Sequence, residues 1–227
     1  MAVVKALPAK DDEEPSLARE RLSWIVGRDT KQLSREEILR AAAETASENA
    51  VDGVFAPLFW MLVGVVLWSA GLLHSPGPLA LAWGFKASST LDSMLGYKRG
   101  RLRWLGTAGA RLDDALTWVP CRLVMLTLPL ISRSWRLWLA LVLAAERDGA
   151  LDPSPNAGRS EAIYAHCAGV QLGGRNRYGD TWITKPLLKA GGNEANPHGV
   201  RTILSLSARL QWGWIVAAGG LSLLTQQ

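Results

Sequence analysis

The chain has 227 residues, of which 48% are apolar and 20% are charged, with a formal net charge of +5. Its basic residues are scattered beside apolar runs instead of forming one block, which argues against nucleic-acid binding and favours charges that flank a membrane or hold an anionic ligand. The two cysteines have no CxxC spacing and support neither a disulfide framework nor a cysteine zinc site.

The N-terminal stretch is polar, with Pro, Lys and an acidic run, and predicts a disordered lead-in over residues 1–16. A helical pattern follows over residues 17–49. Within it, Ser34 and Glu37 have the spacing of a capping box, which predicts a helix that begins just after Ser34.

The first long apolar segment is a run of 20 uncharged residues over 54–73. A helix of that length spans about 30 Å, the usual thickness of the hydrocarbon layer. The alternative is a core helix of a soluble domain, but a soluble helix of this length normally shows a polar face. We therefore expect a membrane-spanning helix here.

A second apolar segment covers residues 79–96 and is interrupted by Lys86 and Asp92. If the first segment crosses the membrane, this one could return as a second or re-entrant segment. The basic cluster over 97–103 would then lie on the side of the basic N-terminal region, as the positive-inside tendency requires. Charges at membrane depth are costly and mark functional candidates.

Residues 109–132 and 133–149 are again largely apolar and could form a hairpin, and residues 210–225 form a marginal span. The region 150–200 is rich in Gly, Pro and Asn and predicts soluble loops. The sequence thus predicts an all-α, polytopic integral membrane helical protein with polar connecting loops. After the lead-in, we expect a single membrane-embedded domain over residues 17–227.

Carboxylates recur every four residues just before the first apolar segment. On a helix, Glu44, Glu48 and Asp52 would share one stripe with Arg40, and a hard cation such as Mg²⁺ would relieve their repulsion. The alternative is a solvated acidic face with an Arg40–Glu44 pair.

Asp113 and Asp114 form a second acidic pair, preceded by Arg111. Neighbouring residues do not share a helical face, but at a helix entry turn both carboxylates could reach a metal or a polar ligand. Ordinary capping of the helix N-terminus explains the pair equally well.

Several of these stretches together resemble the adenosylcobinamide-phosphate synthase family of cobalamin biosynthesis (CobD/CbiB). The matching pieces are LSWIVGRDT, AAAETASENAVDGVFAPLFW, KASSTLDSMLGYK, GARLDDALTWVPCRL, DPSPNAG and QLGGRNRYG. They occur in family order over roughly residues 19–180. Family members usually carry a further N-terminal apolar segment and polar motif, which this chain lacks ahead of IVGRDT.

The resemblance implies a multi-pass enzyme of the cytoplasmic membrane, with its active site facing the cytoplasm. Such enzymes join a carboxylate of adenosylcobyric acid to the amine of aminopropanol or its phosphate, with ATP and Mg²⁺. The catalytic candidates it implies are acidic except for one lysine: Glu44, Glu48, Asp52, Asp92 and Lys86. The substrate-binding candidates are Arg28, Asp29, Asn49, Thr90, Lys98, Arg111, Asn156 and Asn176. The metal candidates are Glu48, Asp113 and Asp114.

Three other functions stay open at this point. One is a non-catalytic membrane component that binds a corrinoid or docks later enzymes of cobalamin assembly. Another is a small transporter, which the charged residues inside apolar segments would suit. The third is a soluble helical domain.

Overall fold

The computed structural model describes residues 1–10, 13–95, 103–132, 135–179 and 181–224, and in these ranges the chain is mostly helical, as predicted. The helices are α1 (Ala2–Lys5), α2 (Ser16–Ser23), α3 (Arg35–Ala50), a π-helical turn (Val51–Phe55), α4 (Ala56–Ser69), α5 (Pro78–Leu95), α6 (Arg103–Ile131), a 3-10 turn (Trp135–Leu137), α7 (Trp138–Gly149), α8 (Ala157–Ala168) and α9 (Pro197–Leu224). The basic cluster predicted over 97–103, including the substrate-binding candidate Lys98, lies almost entirely outside the described residues.

A β-hairpin corrects the all-α prediction. Strands β1 (Leu172–Tyr178) and β2 (Thr181–Leu188) pair in antiparallel register, and α8 precedes them, so the region predicted as loops is largely regular. The glycines of this region are typical of loops, but here glycine is needed within a strand. Gly173 has a φ of +82° inside a β-bulge, and a Cβ there would lie 1.9 Å from the carbonyl oxygen of Pro186. The glycine permits a strand to bend instead of marking a loop.

The N-terminal stretch also differs from the predicted disordered lead-in. Helix α1 buries Val3 and Val4, and the carbonyl oxygen of Pro8 accepts a hydrogen bond from Arg35 at 2.9 Å. The buried side chains of Val3 and Val4 and the hydrogen bond from Arg35 therefore hold residues 2–8 in place, although the N-terminal stretch is polar in composition.

The start of α3 confirms the capping box. The backbone N–H of Ser34 donates to Glu37 Oε2 at 2.8 Å, and the N–H of Glu37 donates to Ser34 Oγ at 3.2 Å. Helix α3 ends at Ala50, next to the predicted end at residue 49, but its passage into a π-helical turn at Val51 was not predicted. A π turn holds more residues than an α turn, so the phase of the helix changes at the turn that contains Asp52.

Helices α4 and α5 meet at a glycine. Helix α4 ends at Ser69, earlier than the predicted Leu73, and Gly71 follows in the left-handed region with a φ of +82°. At Gly64 a Cβ would lie 2.5 Å from Pro78 Cα, so the backbone of α4 directly contacts the first residue of α5. This contact lets α5 return against α4, which the sequence had left open as a second or re-entrant segment.

Two stretches of helix in the described ranges are long and apolar enough to cross a membrane, Arg35–Ser69 and Trp104–Ile131. Only 28% and 39% of their most apolar windows are buried within the chain. Large apolar side chains on them stay exposed, as with Val66 at 66% and Trp104 at 78%. A core helix of a soluble protein would bury most of this surface, so length, composition and exposure favour a membrane environment.

The chain divides into two compact units. The first comprises residues 1–48, 125–153 and 157–210 and is centred on buried Tyr164, Ile38 and Leu172. The second comprises residues 49–124, 154–156 and 211–227, and in it Phe55 packs edge-on against Trp214 with ring centroids 5.1 Å apart. The prediction of a single domain over 17–227 did not foresee this division.

We expect Gly64→Ala to destabilise the second unit, because the new methyl group would overlap the backbone of Pro78. Overpacking of this kind costs about 1–3 kcal/mol. Gly84→Ala in α5 is the matched control, since nothing lies within 4 Å of its Cβ position and alanine is the better helix former. Thermal unfolding in detergent should show a lower Tm for Gly64→Ala alone, and equal Tm values for both variants would contradict the proposed close contact.

Candidate functional site

A buried polar network lies in the first unit, around Glu44 of α3. Glu44 is 1% exposed, and its Oε2 accepts a hydrogen bond from the Arg28 guanidinium at 2.5 Å. Its Oε1 accepts the backbone N–H of Gly173 at 2.9 Å. Both carboxylate oxygens are therefore engaged, and Glu44 joins the loop before α3 to strand β1.

Asn176 extends this network from the hairpin. Its Oδ1 accepts hydrogen bonds from Arg28 at 2.7 Å and from Arg40 at 3.4 Å, and the residue is 3% exposed. Its Nδ2 is buried with no hydrogen-bond partner in the described part of the chain. We call the set Arg28, Arg40, Glu44, Gly173 and Asn176 the Glu44 network.

Lys185 brings a further charge from β2 to the same unit. Its Nζ donates to Glu161 Oε1 of α8 at 3.0 Å, and Glu161 is 1% exposed. Burial alone would lower the pKa of Lys185, but the Glu161 carboxylate, with Glu48 and Glu44 behind it, raises that pKa above its usual range. Lys185 therefore stays a cation among carboxylates.

Glu48 lies one turn after Glu44 on α3, as predicted, and is half-buried. Its electrostatic neighbours within the first unit are Lys185, Asp152, Glu44 and Arg28. Because Glu44 is fully engaged, Glu48 is the better placed of the two to accept a proton or contact a ligand. Asp29 instead forms a turn, with its Oδ1 accepting the N–H of Lys31 at 3.0 Å.

A second cluster of polar side chains lies in the second unit, around Asn156. This residue is 4% exposed, its Oδ1 accepts from Arg122 at 2.6 Å, and its Nδ2 donates to the carbonyl oxygen of Asp114 at 2.8 Å. Ser154 adds a hydrogen bond to Asp114 Oδ1 at 3.3 Å. Asn156 thus fixes the turn before α8 to the middle of α6, and both its Oδ1 and its Nδ2 have hydrogen-bond partners there.

Asp113 and Asp114 do not stand at a helix entry, because α6 already begins at Arg103. Both explanations offered for them, metal binding at an entry turn and capping, assumed that start and are wrong on this point. Their mid-helix positions give them separate neighbours. Asp114 contacts Asn156, whereas Asp113 interacts electrostatically with Asp92 and Lys86 of α5.

The remaining candidates are more exposed. Lys86, Asn49 and Arg111 are exposed on helices, Asp52 is half-buried in the π-helical turn, and Thr90 Oγ1 donates to the carbonyl oxygen of Lys86 at 2.8 Å. Sequence reasoning missed Glu161, Lys185 and Arg122 as network members. The sequence held a signal for two of them. Lys185 is the one charged residue of WITKPLL, and Arg122 is the one charged residue of TWVPCRL.

Among the described residues, no group of three or more His, Cys, Asp or Glu side chains is arranged to hold a metal ion. A nucleotide-bound Mg²⁺ makes a smaller demand, because it keeps several waters and takes one or two protein carboxylates. Asp113 fits that role, since its Oδ1 is buried without a hydrogen-bond partner in the described residues and Asp92 lies near.

Comparison with known proteins gives one consistent result. The family model described as CobD/Cbib protein matches residues 1–207. The chain is similar to the cobalamin biosynthesis protein CobD of Synechocystis, at 50% identity over 81% of this chain and 51% of that protein. It is also similar to the cobalamin biosynthesis protein CbiB of Salmonella arizonae, at 41% identity over 92% of this chain and 62% of that protein. No solved structure matches significantly.

The chain therefore spans about half to three fifths of the length of these curated relatives. The six stretches that carried the resemblance lie within the matched residues. Five of them supply the Glu44 network or the Asn156 cluster, so the matched region contains both buried clusters.

We expect the Arg28–Glu44 pair to contribute strongly to stability. Removing one partner of a buried pair leaves an uncompensated charge and costs about 3–5 kcal/mol. Arg28→Met and Glu44→Gln should each lower Tm in detergent, and the double variant should recover part of the loss. Glu14→Gln is the matched control, because its partner pair with Arg19 is solvent-exposed on the glutamate side at 78% and such pairs contribute about 0–1 kcal/mol. Additive losses in the double variant would contradict a coupled pair.

Proposed function

We propose, since the chain belongs to the CobD/CbiB family, that it acts in cobalamin biosynthesis as an ATP-dependent, amide-forming ligase. The reaction would attach aminopropanol or its phosphate to a carboxylate of adenosylcobyric acid, giving adenosylcobinamide or its phosphate. The observation that carries this proposal is the family match over residues 1–207. The two similar proteins are both named as cobalamin biosynthesis proteins.

The chemistry sets what the site must supply. A carboxylate is a poor electrophile, so one of its oxygens would first attack the γ-phosphorus of ATP, and ADP would leave. The amine nitrogen would then attack the acyl carbon, lose a proton and displace inorganic phosphate. The protein must therefore position two anionic substrates, accept one proton and offset phosphate charge.

The second unit suits the phosphate side of this reaction. Lys86 is an exposed cation on α5 and interacts electrostatically with Asp113. Asp113 and Asp92 would hold a nucleotide-bound Mg²⁺, whose chemistry is to offset the charge of the transferring phosphoryl group. Thr90 and Arg111, which lie on the same two helices, are further candidates for contact with the substrates.

The first unit suits proton transfer and positioning. Glu48 is the candidate proton acceptor, because its neighbour Glu44 is fully engaged by Arg28 and Gly173. Glu44 and Asn176 then act as positioning residues that hold the hairpin and its arginines in place.

We place the enzyme in the cytoplasmic membrane, as a multi-pass protein with its active site on the cytoplasmic side where ATP is present. Support comes from the two membrane-capable helices and the small buried share of their apolar windows. The corrinoid would then approach the polar ends of these helices from the aqueous phase.

A second candidate function is a non-catalytic component that binds a corrinoid or docks the later enzymes of cobalamin assembly. The names of the two similar proteins suit it equally, because they state a role in cobalamin biosynthesis and no reaction. Corrinoid binding without ATP turnover would distinguish this function from the ligase.

The ligase predicts that membranes containing this chain form the amide product from adenosylcobyric acid, aminopropanol phosphate and ATP. Glu48→Gln and Asp92→Asn should each abolish product, because one loses the proton acceptor and the other weakens the phosphate site. Glu194→Gln is the matched control, since that side chain is exposed on the loop between β2 and α9 and belongs to neither polar cluster. Chromatography coupled to mass spectrometry measures the product.

The Synechocystis relative serves as the positive control in the same membranes. If it forms the amide and this chain does not, the catalytic proposal is wrong. Corrinoid binding, measured by the visible absorption of the cofactor retained on purified protein, would then support the binding function.

A further inference from the structure

The start of α7 lies beside the end of α6. Helix α6 ends at Ile131, and the 3-10 turn that leads into α7 begins at Trp135. The indole N–H of Trp138 donates to the carbonyl oxygen of Leu126 at 2.6 Å, so the first turn of α7 contacts the last two turns of α6. These turns of α6 end the membrane-capable stretch Trp104–Ile131. Helix α7 therefore begins where that stretch would leave the membrane.

The uncharged run of α7 is too short to cross a bilayer. It extends from Leu137 to Ala145 and is followed directly by Glu146 and Arg147. A helix over these uncharged residues measures about 14 Å, less than half of the roughly 30 Å of the hydrocarbon layer. The length of α7 therefore rules out the second crossing that the sequence left open for residues 133–149.

The two faces of α7 have different surroundings. Ala145 is fully buried, and at Gly149, one turn later, a Cβ would lie 2.6 Å from the Cα of Arg159 in α8. Leu139 and Leu143 also lie one turn apart, on the opposite face, and are 58% and 60% exposed. One face of α7 is thus closely packed against α8, whereas the other is uncovered in the described part of the chain.

The uncovered apolar surface continues from α7 onto the residues before it. Trp135 and Leu137 in the 3-10 turn and Leu130 at the end of α6 are all more than half exposed. A surface that faces water seldom gathers so many large apolar side chains. Because Leu130 belongs to the membrane-capable stretch, the lipid that covers it would also reach the start of α7.

The polar groups around this surface match the headgroup layer of a bilayer. Arg136 lies over the ring of Trp135, 5.7 Å from its centroid. Tryptophan prefers the boundary between hydrocarbon and water, and an arginine there is attracted to anionic lipid headgroups. At the other end of α7, Arg147 is exposed and Glu146 pairs with Arg159 at 2.6 Å. The apolar surface therefore ends where α7 enters water.

We propose that α7 and the 3-10 turn before it lie along the membrane surface as an interfacial helix. Leu139 and Leu143 contact the acyl chains, and Trp135 and Arg136 lie among the headgroups. The bilayer that α6 crosses covers the exposed face, and helices of this kind insert that face about 5–10 Å deep. Helix α8, packed on the other face, is thereby held on the aqueous side close to the membrane. This placement does not depend on the ligase reaction.

Spin labels test the placement in nanodiscs of phosphatidylcholine and phosphatidylglycerol. The labels are attached at Leu139→Cys and Leu143→Cys, in a chain that carries Cys121→Ala and Cys167→Ala. Their collisions with oxygen, which enters lipid, are compared with their collisions with the nickel complex NiEDDA, which stays in water. The matched control is Arg147→Cys, one turn after Leu143, where the native side chain is 78% exposed. We expect a severalfold higher oxygen-to-nickel collision ratio at both leucine positions than at the control, and a depth of about 5–10 Å.

Three results would overturn the proposal. Nickel collisions as frequent at Leu139→Cys and Leu143→Cys as at Arg147→Cys would place α7 in water. Few collisions with either reagent at the leucine positions would show that a second copy or another protein covers this face. An equally high oxygen ratio at Arg147→Cys would show that the helix crosses the membrane.

Glutamine variants keep the native cysteines and answer the same question if the cysteine-free chain does not fold. Leu139→Gln combined with Leu143→Gln should lower Tm in the same nanodiscs, because polar amides would replace side chains that lie in lipid. Leu151→Gln is the matched control and should leave Tm unchanged, since Leu151 is 70% exposed on the turn after α7. Equal Tm values for the double variant and the control would contradict the interfacial placement.

Discussion

The hydrogen bonds of the Glu44 carboxylate are the constraint on which the first unit depends. A carboxylate that is 1% exposed is stable as an anion only if charged or polar donors surround it, and Arg28 and the N–H of Gly173 supply them. Each donor comes from a different part of the chain. The loop before α3, the helix itself and strand β1 are therefore held at one carboxylate.

The same requirement explains the shape of the hairpin. Gly173 donates its N–H to Glu44 from a β-bulge in which a side chain would overlap Pro186. The bulge turns β1 so that Asn176, three residues later, accepts hydrogen bonds from Arg28 and Arg40. The glycines of QLGGRNRYG thus have a backbone role, which is to let a strand approach a helix that carries charge.

The buried polar groups of the second unit fall into two sets, one with hydrogen-bond partners and one without. Around Asn156 the polar groups satisfy one another, because Arg122, Asp114 and Ser154 all bond within the cluster. On α5 and α6, by contrast, Ser88 Oγ, Asp113 Oδ1 and Thr117 Oγ1 are buried without a hydrogen-bond partner in the described residues. The satisfied cluster stabilises the fold, whereas each unpaired buried oxygen lowers the stability of the unit.

Local sequence signals predicted local structure well. The Ser34–Glu37 capping box, the start of α5 near Pro78 and the position of Glu48 one turn after Glu44 all follow from spacings of a few residues. The same reasoning failed where structure depends on distant partners. Glu44 and Gly173 are 129 positions apart, and Arg28 and Asn176 are 148 apart, so no spacing rule could pair them.

Glycine, charge and helix phase account for the remaining differences. The hairpin was hidden because its glycines and asparagine are typical of loops. The predicted acidic stripe assumed one regular helix through Asp52, whereas a π-helical turn changes the helix phase after Ala50. Asp113 and Asp114 were assigned to a helix start because the preceding residues are less apolar, whereas α6 begins ten residues earlier at Arg103.

Hydrogen–deuterium exchange of the hairpin tests most directly the claim that Glu44 holds it in place. In the unaltered chain, peptides from residues 172–178 should exchange slowly in detergent. Glu44→Ala should expose them to fast exchange while peptides from α8, over residues 157–168, stay protected. Unchanged protection of residues 172–178 in Glu44→Ala would contradict the account, because the hairpin would then be held by other contacts.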